Sequence, residues 1–201
     1  MLATKGRMTQ VFNADGTVKA ATVVTAGPLK VTQVKTVEID GYKAVQVGFG
    51  ARREKNVNKA QLGHLKDLGT FMHLREFRLT DAFKTPLERG QSIDVSAFAP
   101  GDTITVSAVT KGKGFQGGVK LHGFKGAPRT HGHKQSERRP GSIGMRWPQR
   151  VIKGKRMAGR MGGDMVTVKN LKVLQVDVAS NTLVISGAIP GKPGTLIEIV
   201  A

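Results

Sequence analysis

The chain has 201 residues, 32 of them Lys or Arg against 14 Asp or Glu, and no cysteine. A net charge of +18 calls for a polyanionic partner and says nothing about topology, while the missing cysteines exclude disulfides and thiolate metal sites. No apolar run reaches the roughly eighteen residues that a membrane-spanning helix needs, and Met1 to Phe12 lacks the apolar stretch of a secretory signal.

In chain order, short strands come first. Met8 to Phe12 reads as a strand that stops at the turn signal Asn13-Ala14-Asp15-Gly16. Val18 to Thr25 is rich in β-branched residues and closes at Gly27-Pro28. Leu29 to Ile39 alternates, with Val31, Gln33 and Lys35 on one side and Thr32, Val34 and Thr36 on the other. Asp40-Gly41 then predicts a hairpin from Val37 to Phe49. The polar run from Ala51 to Asn58 precedes an expected helix, capped by Asn58 and continuing to about Leu68, with Leu62 and Leu65 on one face. Leu74 to Leu79 reads as a strand, and residues 51–91 together as a small α+β insertion. Strands resume at Ser92 to Val95 and at Thr103 to Thr110.

Near the C-terminus, Met165 to Lys169, Leu171 to Val178, Thr182 to Ser186 and Thr195 to Val200 are short and β-branched. Turns at Ala179-Ser180-Asn181 and at Pro190 to Gly194 separate them. Many short strands with turn punctuation predict a mainly β fold, an antiparallel barrel or sandwich built from 1–110 and 163–201. Thr110 and Asp164 should then be neighbours on adjacent strands, making 111–162 a long irregular basic extension. No tandem repeat at a fixed period occurs.

That extension dominates the chemistry. Lys111 to Arg160 holds fourteen of the basic residues against one acid, Glu137, and eleven of the 26 glycines. Its apolar residues (Phe115, Val119, Leu121, Phe124, Ile143, Met145 and Trp147) follow neither a strand nor a helix period. A segment so cationic and glycine-rich cannot close its own core, and it is expected to be loosely shaped until a polyanion orders it. Nucleic acid is the first candidate, because each neutralised phosphate releases counterions. The expected contacts are Lys111, Lys113, Lys120, Lys125, Arg129, Lys134, Arg138, Arg139, Arg146, Arg150, Lys153, Lys155, Arg156 and Arg160, joined by His122, His131, His133 and Trp147.

Other chemistries fare worse. Gly112 to Val119 matches G-x-G-x-x-G-x-V, yet no helix of useful length is expected to open at Gly118, because Gly123, Gly126 and Pro128 follow closely. V-A-I-K, H-R-D and D-F-G are all absent. Glycines here would instead let backbone N–H groups approach phosphates. His122, His131 and His133 suggest a metal cluster, but Arg129, Lys134, Arg138 and Arg139 crowd them and repel a dication. These imidazoles suit base stacking or phosphate contacts better, as does Trp147 between Arg146 and Pro148. His64 and His73 are expected to be ordinary surface residues. The acids are scattered and no G-x-S-x-G occurs, so neither an enzyme nor a cofactor, metal or small-molecule substrate is expected.

Several stretches carry a family resemblance. Met8 to Phe12, Ala26-Gly-Pro28, Val31 to Lys35, Asp40 to Gly50 and Leu74 to Phe77 resemble the bacterial form of the universal L-three family of large-subunit ribosomal proteins. Gly112 to Gly117, His131-Gly-His133, Arg139 to Gly144 and Lys153 to Gly159 strengthen it. The resemblance implies a translation-factor-like β-barrel with a small α+β insertion, and a loop threading through rRNA towards the peptidyl-transferase centre. Gly141 to Arg150 would lie near that loop's tip. It also implies early assembly, contacts with neighbouring large-subunit proteins, and a cytoplasmic place in the ribosome. Arg7 stands where the family commonly has glycine, and Leu121 where a basic residue usually precedes His-Gly-Phe. The competing readings are a nucleotide-dependent enzyme using Gly112 to Gly117 and a free-standing nucleic-acid chaperone.

Overall fold

Short β-branched runs punctuated by glycine turns give short paired strands. In chain order these are β1 (Leu2–Phe12), β2 (Val18–Ala26), β3 (Leu29–Lys35), β4 (Ala44–Ala51), β5 (Phe71–Arg78), β6 (Ser92–Ile93) and β7 (Thr103–Val109). The two-residue β8 (Phe115–Gln116) and β9 (Gly159–Arg160) follow, then β10 (Met165–Asp177), β11 (Thr182–Ser186) and β12 (Leu196–Val200). Among the described residues three short α-helices intervene: α1 (Val37–Asp40), α2 (Lys59–His64) and α3 (Gly118–His122). This computed structural model describes residues 1–13, 15–79 and 87–201. By its contacts the chain divides into a body, Met1–Val109 with Met165–Ala201, and a second unit, Thr110–Asp164.

Within the body, six antiparallel strands pair in the order β1-β12-β7-β10-β11-β2, and β2 returns to β1 to close a barrel. Closure leaves no free sheet edge in that barrel. Period-two alternation places Ile104, Val106 and Ala108 of β7, Leu183 and Ile185 of β11, and Ile197 and Ile199 of β12 in one core. Each such Ile or Leu, moved out of water, contributes about 1.5–3 kcal/mol. The ladder fixes their meeting: Ile197 faces Ala108 and Ile199 faces Val106. The N-terminal strand is longer than expected, starting at Leu2. Its register shifts between Lys5 and Met8, where a Cβ on Gly6 would lie 2.7 Å from the Val23 carbonyl oxygen. Lys5 Nζ donates to the carbonyls of Ile189 (2.5 Å) and Gly191 (2.8 Å), which ties down the turn before β12. Met165 to Lys169 and Leu171 to Val178, expected as two strands, form the single β10. Asn170 at φ 59° sits at the register shift between Val168 and Leu171.

A second sheet has the order β5-β4-β3-β6. It buries Leu29, Val31, Val45, Val47 and Phe49 together with Leu2. Leu2 and Ala3 thus point β1 into two cores by simple alternation. This sheet begins at Leu29, ahead of the α+β insertion expected at 51–91; residues 80–86 of that span, and Ala14 of the first turn, lie outside the described residues. The expected strand through Ile39 and hairpin turn at Asp40-Gly41 are corrected. β3 ends at Lys35, and Val37–Asp40 is a helical turn that joins it to β4. Asp40 N donates to Thr36 O at 2.9 Å, Thr36 N to the Asp40 carboxylate at 3.3 Å, and Gly41 ends the turn at φ 79°. Local hydrogen bonding outweighs the β propensity of Val37 and Ile39. A shift at Thr32 also breaks the expected alternation, leaving Val31 and Thr32 both buried. The Thr32 hydroxyl lies 2.8 Å from Gln46 Oε1. α2 stops at His64 and not near Leu68, with Asp67 and Gly69 at positive φ.

Candidate nucleic-acid interface

The second unit starts where two chain segments run antiparallel. Thr110 N donates to Asp164 O at 2.9 Å, and the Thr110 hydroxyl oxygen accepts from Gly163 N (3.1 Å) and Asp164 N (3.3 Å). Lys113 N bonds Met161 O and Met161 N bonds Gly114 O, both at 2.9 Å, before β8 pairs with β9. The approach needs glycine: at Gly162 (φ +75°) a Cβ would lie 2.2 Å from Lys111 O. The residues of the G-x-G-x-x-G match therefore serve this ladder. A helix does open at Gly118, but as expected not one of useful length. It lasts five residues and ends at Gly123, whose φ of 71° lets its N–H reach Gly118 O and Val119 O. A single turn of this kind cannot present the N-terminal dipole of a nucleotide-binding helix.

Beyond α3 lies a hollow of about 660 Å³, lined by Phe124, Lys125, Gly126, Ser136, Arg139 and Gly141 among others. Its walls are ten residues apart in sequence and are joined where Ala127 N donates to Glu137 O at 3.0 Å. A Cβ on Gly126 would lie 2.2 Å from that same oxygen. The Phe124 ring is held against Gly118, where a Cβ would come within 2.8 Å of it, and lies 5.5 Å from the His122 ring.

All fourteen basic residues from Lys111 to Arg160 are exposed. Glu137, the segment's acid, pairs with Arg129 at 2.7 Å, and this is the unit's single ion pair among the described residues. The other thirteen cations hold no carboxylate among the described residues. Desolvating them against water would be costly, but phosphates would compensate the charge. His131 and His133 are exposed, whereas His122 donates Nε2–H to Met157 O at 2.8 Å and braces α3 against the returning chain. Trp147 and Met145 stand free at 72 % and 77 % exposure. Among the described residues no group of three His, Cys, Asp or Glu could hold a metal ion.

The sequence profile described as Ribosomal protein L3 matches residues 80–188. The chain is 46 % identical over 201 residues to the large ribosomal subunit protein uL3 of Bacillus cytotoxicus, covering 99 % of this chain and 94 % of that one. It is 50 % identical over 203 residues to the protein of the same name from Picosynechococcus sp., at 99 % and 94 % coverage. For that of Thermosynechococcus vestitus the figure is 47 % over 202 residues, with the same coverage. The chain belongs to the ribosomal protein L3 family. Membership makes it a ribosomal protein of the large subunit with a structural role in translation and not an enzyme, which sets aside the nucleotide-dependent reading of Gly112 to Gly117.

Two features of this L3-family chain escaped the sequence reading. The hollow at Phe124 depends on Gly126 meeting Glu137 across ten residues, which no period signals. A second run of exposed cations lies on the body, Arg52, Arg53 and Lys55 between β4 and α2 and Lys59 at the start of α2. Its sequence is plainly basic, and only its small size beside the main segment hid it.

Proposed function

We propose that this protein binds large-subunit rRNA through residues 110–164, supports early assembly of the subunit and reaches towards the peptidyl-transferase centre. Its barrel is of the translation-factor-like kind and acts as the anchor outside the RNA. Neighbouring large-subunit proteins are its other partners, and it works in the cytoplasm, within the ribosome. The observation that carries this reading is the run of fourteen exposed bases with a single internal ion pair. Lys111, Lys113, Lys120, Lys125, Lys134, Arg138, Arg139, Arg146, Arg150, Lys153, Lys155, Arg156 and Arg160 neutralise phosphates, and Arg129 keeps its outer nitrogens for the same use. His131, His133 and Trp147 stack on bases or hydrogen-bond to them. Most contacts go to phosphate and sugar, which fixes position more than sequence.

The test is reconstitution. The full chain should co-sediment with large subunits through a high-salt wash, and a photo-reactive group at position 147 should cross-link to rRNA. A chain released by the wash, or cross-linked at 147 to protein alone, contradicts the proposal.

A further inference from the structure

We propose that the hollow between residues 124–127 and 136–141 seats a single unstacked RNA nucleotide, its phosphate met by Lys125 and Arg139 and its base by the Phe124 ring. This rests on the rRNA-binding reading and narrows it to one site.

The volume of about 660 Å³ falls within the range of about 300–1,000 Å³ that small-molecule sites occupy. Contacts within the chain itself shape the hollow. The Ala127–Glu137 hydrogen bond at 3.0 Å and the glycine contact beside it lock the two walls together. The 136–139 wall is itself a turn, with Ser136 N bonded to His133 O (3.3 Å) and Arg139 N to Ser136 O (3.2 Å). Gly118 exists as glycine where the Phe124 ring needs the space, so the ring is set by packing and not left to swing. Charge is sorted as well. Arg129 pairs at 2.7 Å with Glu137, the one acid of the Lys111–Arg160 segment, and Lys125 and Arg139 are exposed and without an ion pair among the described residues.

The donor set selects the ligand class. Lysine and arginine only donate, the Ser136 hydroxyl can do either, and an aromatic ring adds a flat apolar surface. Free phosphate would satisfy the cations and leave the ring unused. An apolar peptide would use the ring and leave two cations buried. A nucleotide, with an anionic acceptor-rich group one sugar away from a planar base, uses all of them. Stacking on a phenyl ring is tolerant of base identity, so the site would read shape and charge before sequence.

The experiment uses the full chain and a single-stranded 4-thiouridine RNA of about twelve nucleotides, within the site sizes of single-strand binders. Near-ultraviolet cross-linking should attach this RNA to the peptide containing Phe124 to Ala127. Phe124→Ala should lower affinity about tenfold, the loss expected for one stacked base, with the salt slope unchanged. Phe124→Trp should restore both affinity and cross-link, which separates stacking from misfolding. Arg139→Gln should flatten the slope by about 0.7, one single-strand phosphate. Cross-links that map elsewhere, or a Phe124→Ala chain that cross-links as well as the unaltered one, overturn the nucleotide seat alone. A glutamate-rich peptide that abolishes the Phe124 cross-link while the RNA stays bound would reassign the hollow to protein and overturn it too. Failure of the unaltered chain to bind RNA at all overturns the wider reading with it.

Discussion

Gly162→Ala probes the entrance to the basic unit. The new Cβ would sit 2.2 Å from Lys111 O, 3.1 Å from Lys111 C and 3.2 Å from Gly112 Cα, all backbone atoms with no side chain to yield. Ordinary contact starts at 3.4 Å, so the two segments must part by about 1.2 Å. Alanine at φ +75° also carries about 1–2 kcal/mol of left-handed strain. Parting the segments sacrifices the Lys113–Met161 hydrogen bond, worth about 0.5–1.5 kcal/mol net. The sum is about 1.5–3.5 kcal/mol of local destabilisation, centred near 2.5. Amide exchange in the full chain should therefore quicken about 30- to 150-fold at Lys113 and Met161, with the Val173 and Ile199 amides of the barrel unaffected. Gly154→Ala is the control, because Gly154 has φ +80° and nothing within 4 Å of its Cβ position. It bears strain alone and should leave Lys113 and Met161 protected. Equal exchange in the two variants would refute the close-approach argument.

Other expectations follow from the same geometry. Leu183→Ala empties a fully buried barrel position and should cost about 2–5 kcal/mol in denaturant unfolding. Thr110→Val removes the oxygen that accepts from Gly163 and Asp164, and should cost about 1 kcal/mol, seen as faster exchange of those two amides. Hydrogen bonds from Lys35 Nζ and Tyr42 OH hold the Glu76 carboxyl below the usual carboxylate range. A depressed folded-state pKa means that its contribution is present at neutral pH and fades as pH falls through the lowered value. Glu76→Gln should accordingly flatten the acid limb of Tm against pH, and an unchanged limb would deny Glu76 that role. The Arg75–Glu198 pair at 3.0 Å is half-exposed on its arginine side, so a double-mutant cycle should return less than about 1 kcal/mol.

Much of the body could be read from residue order. Thr182–Ser186 emerges with the expected bounds, and Thr103–Val109 and Val18–Ala26 shift by one residue, because β-branched runs between glycine or proline turns leave little choice. The failures are local. Val37-Glu-Ile-Asp40 looks like strand, yet Thr36, Asp40 and Gly41 cap it as a helical turn, a signal present in the sequence and outvoted by propensity. α3 stayed hidden for another reason: Gly117 and Gly123 bracket it, and five residues were too few to display a period. In the basic unit the exposed cations could be found by counting. His122 could not be separated from His131 and His133 by sequence, because its bond to Met157 O spans 35 residues. The hollow at Phe124 escaped for the same reason, being made by contacts between Gly126 and Glu137 and between Gly118 and Phe124.

The proposed hold on RNA is electrostatic, from the exposed bases of Thr110–Asp164 to its phosphates. The direct measurement is the affinity of the full chain for a large-subunit rRNA fragment across a salt series. If about eight of the exposed bases meet a phosphate at once, Arg146, Arg150, Lys153 and Lys155 among them, log K should fall against log salt with a slope of about −6, and replacing those four with glutamine should bring it to about −3. A slope near zero, or one that those four substitutions leave untouched, would contradict the account.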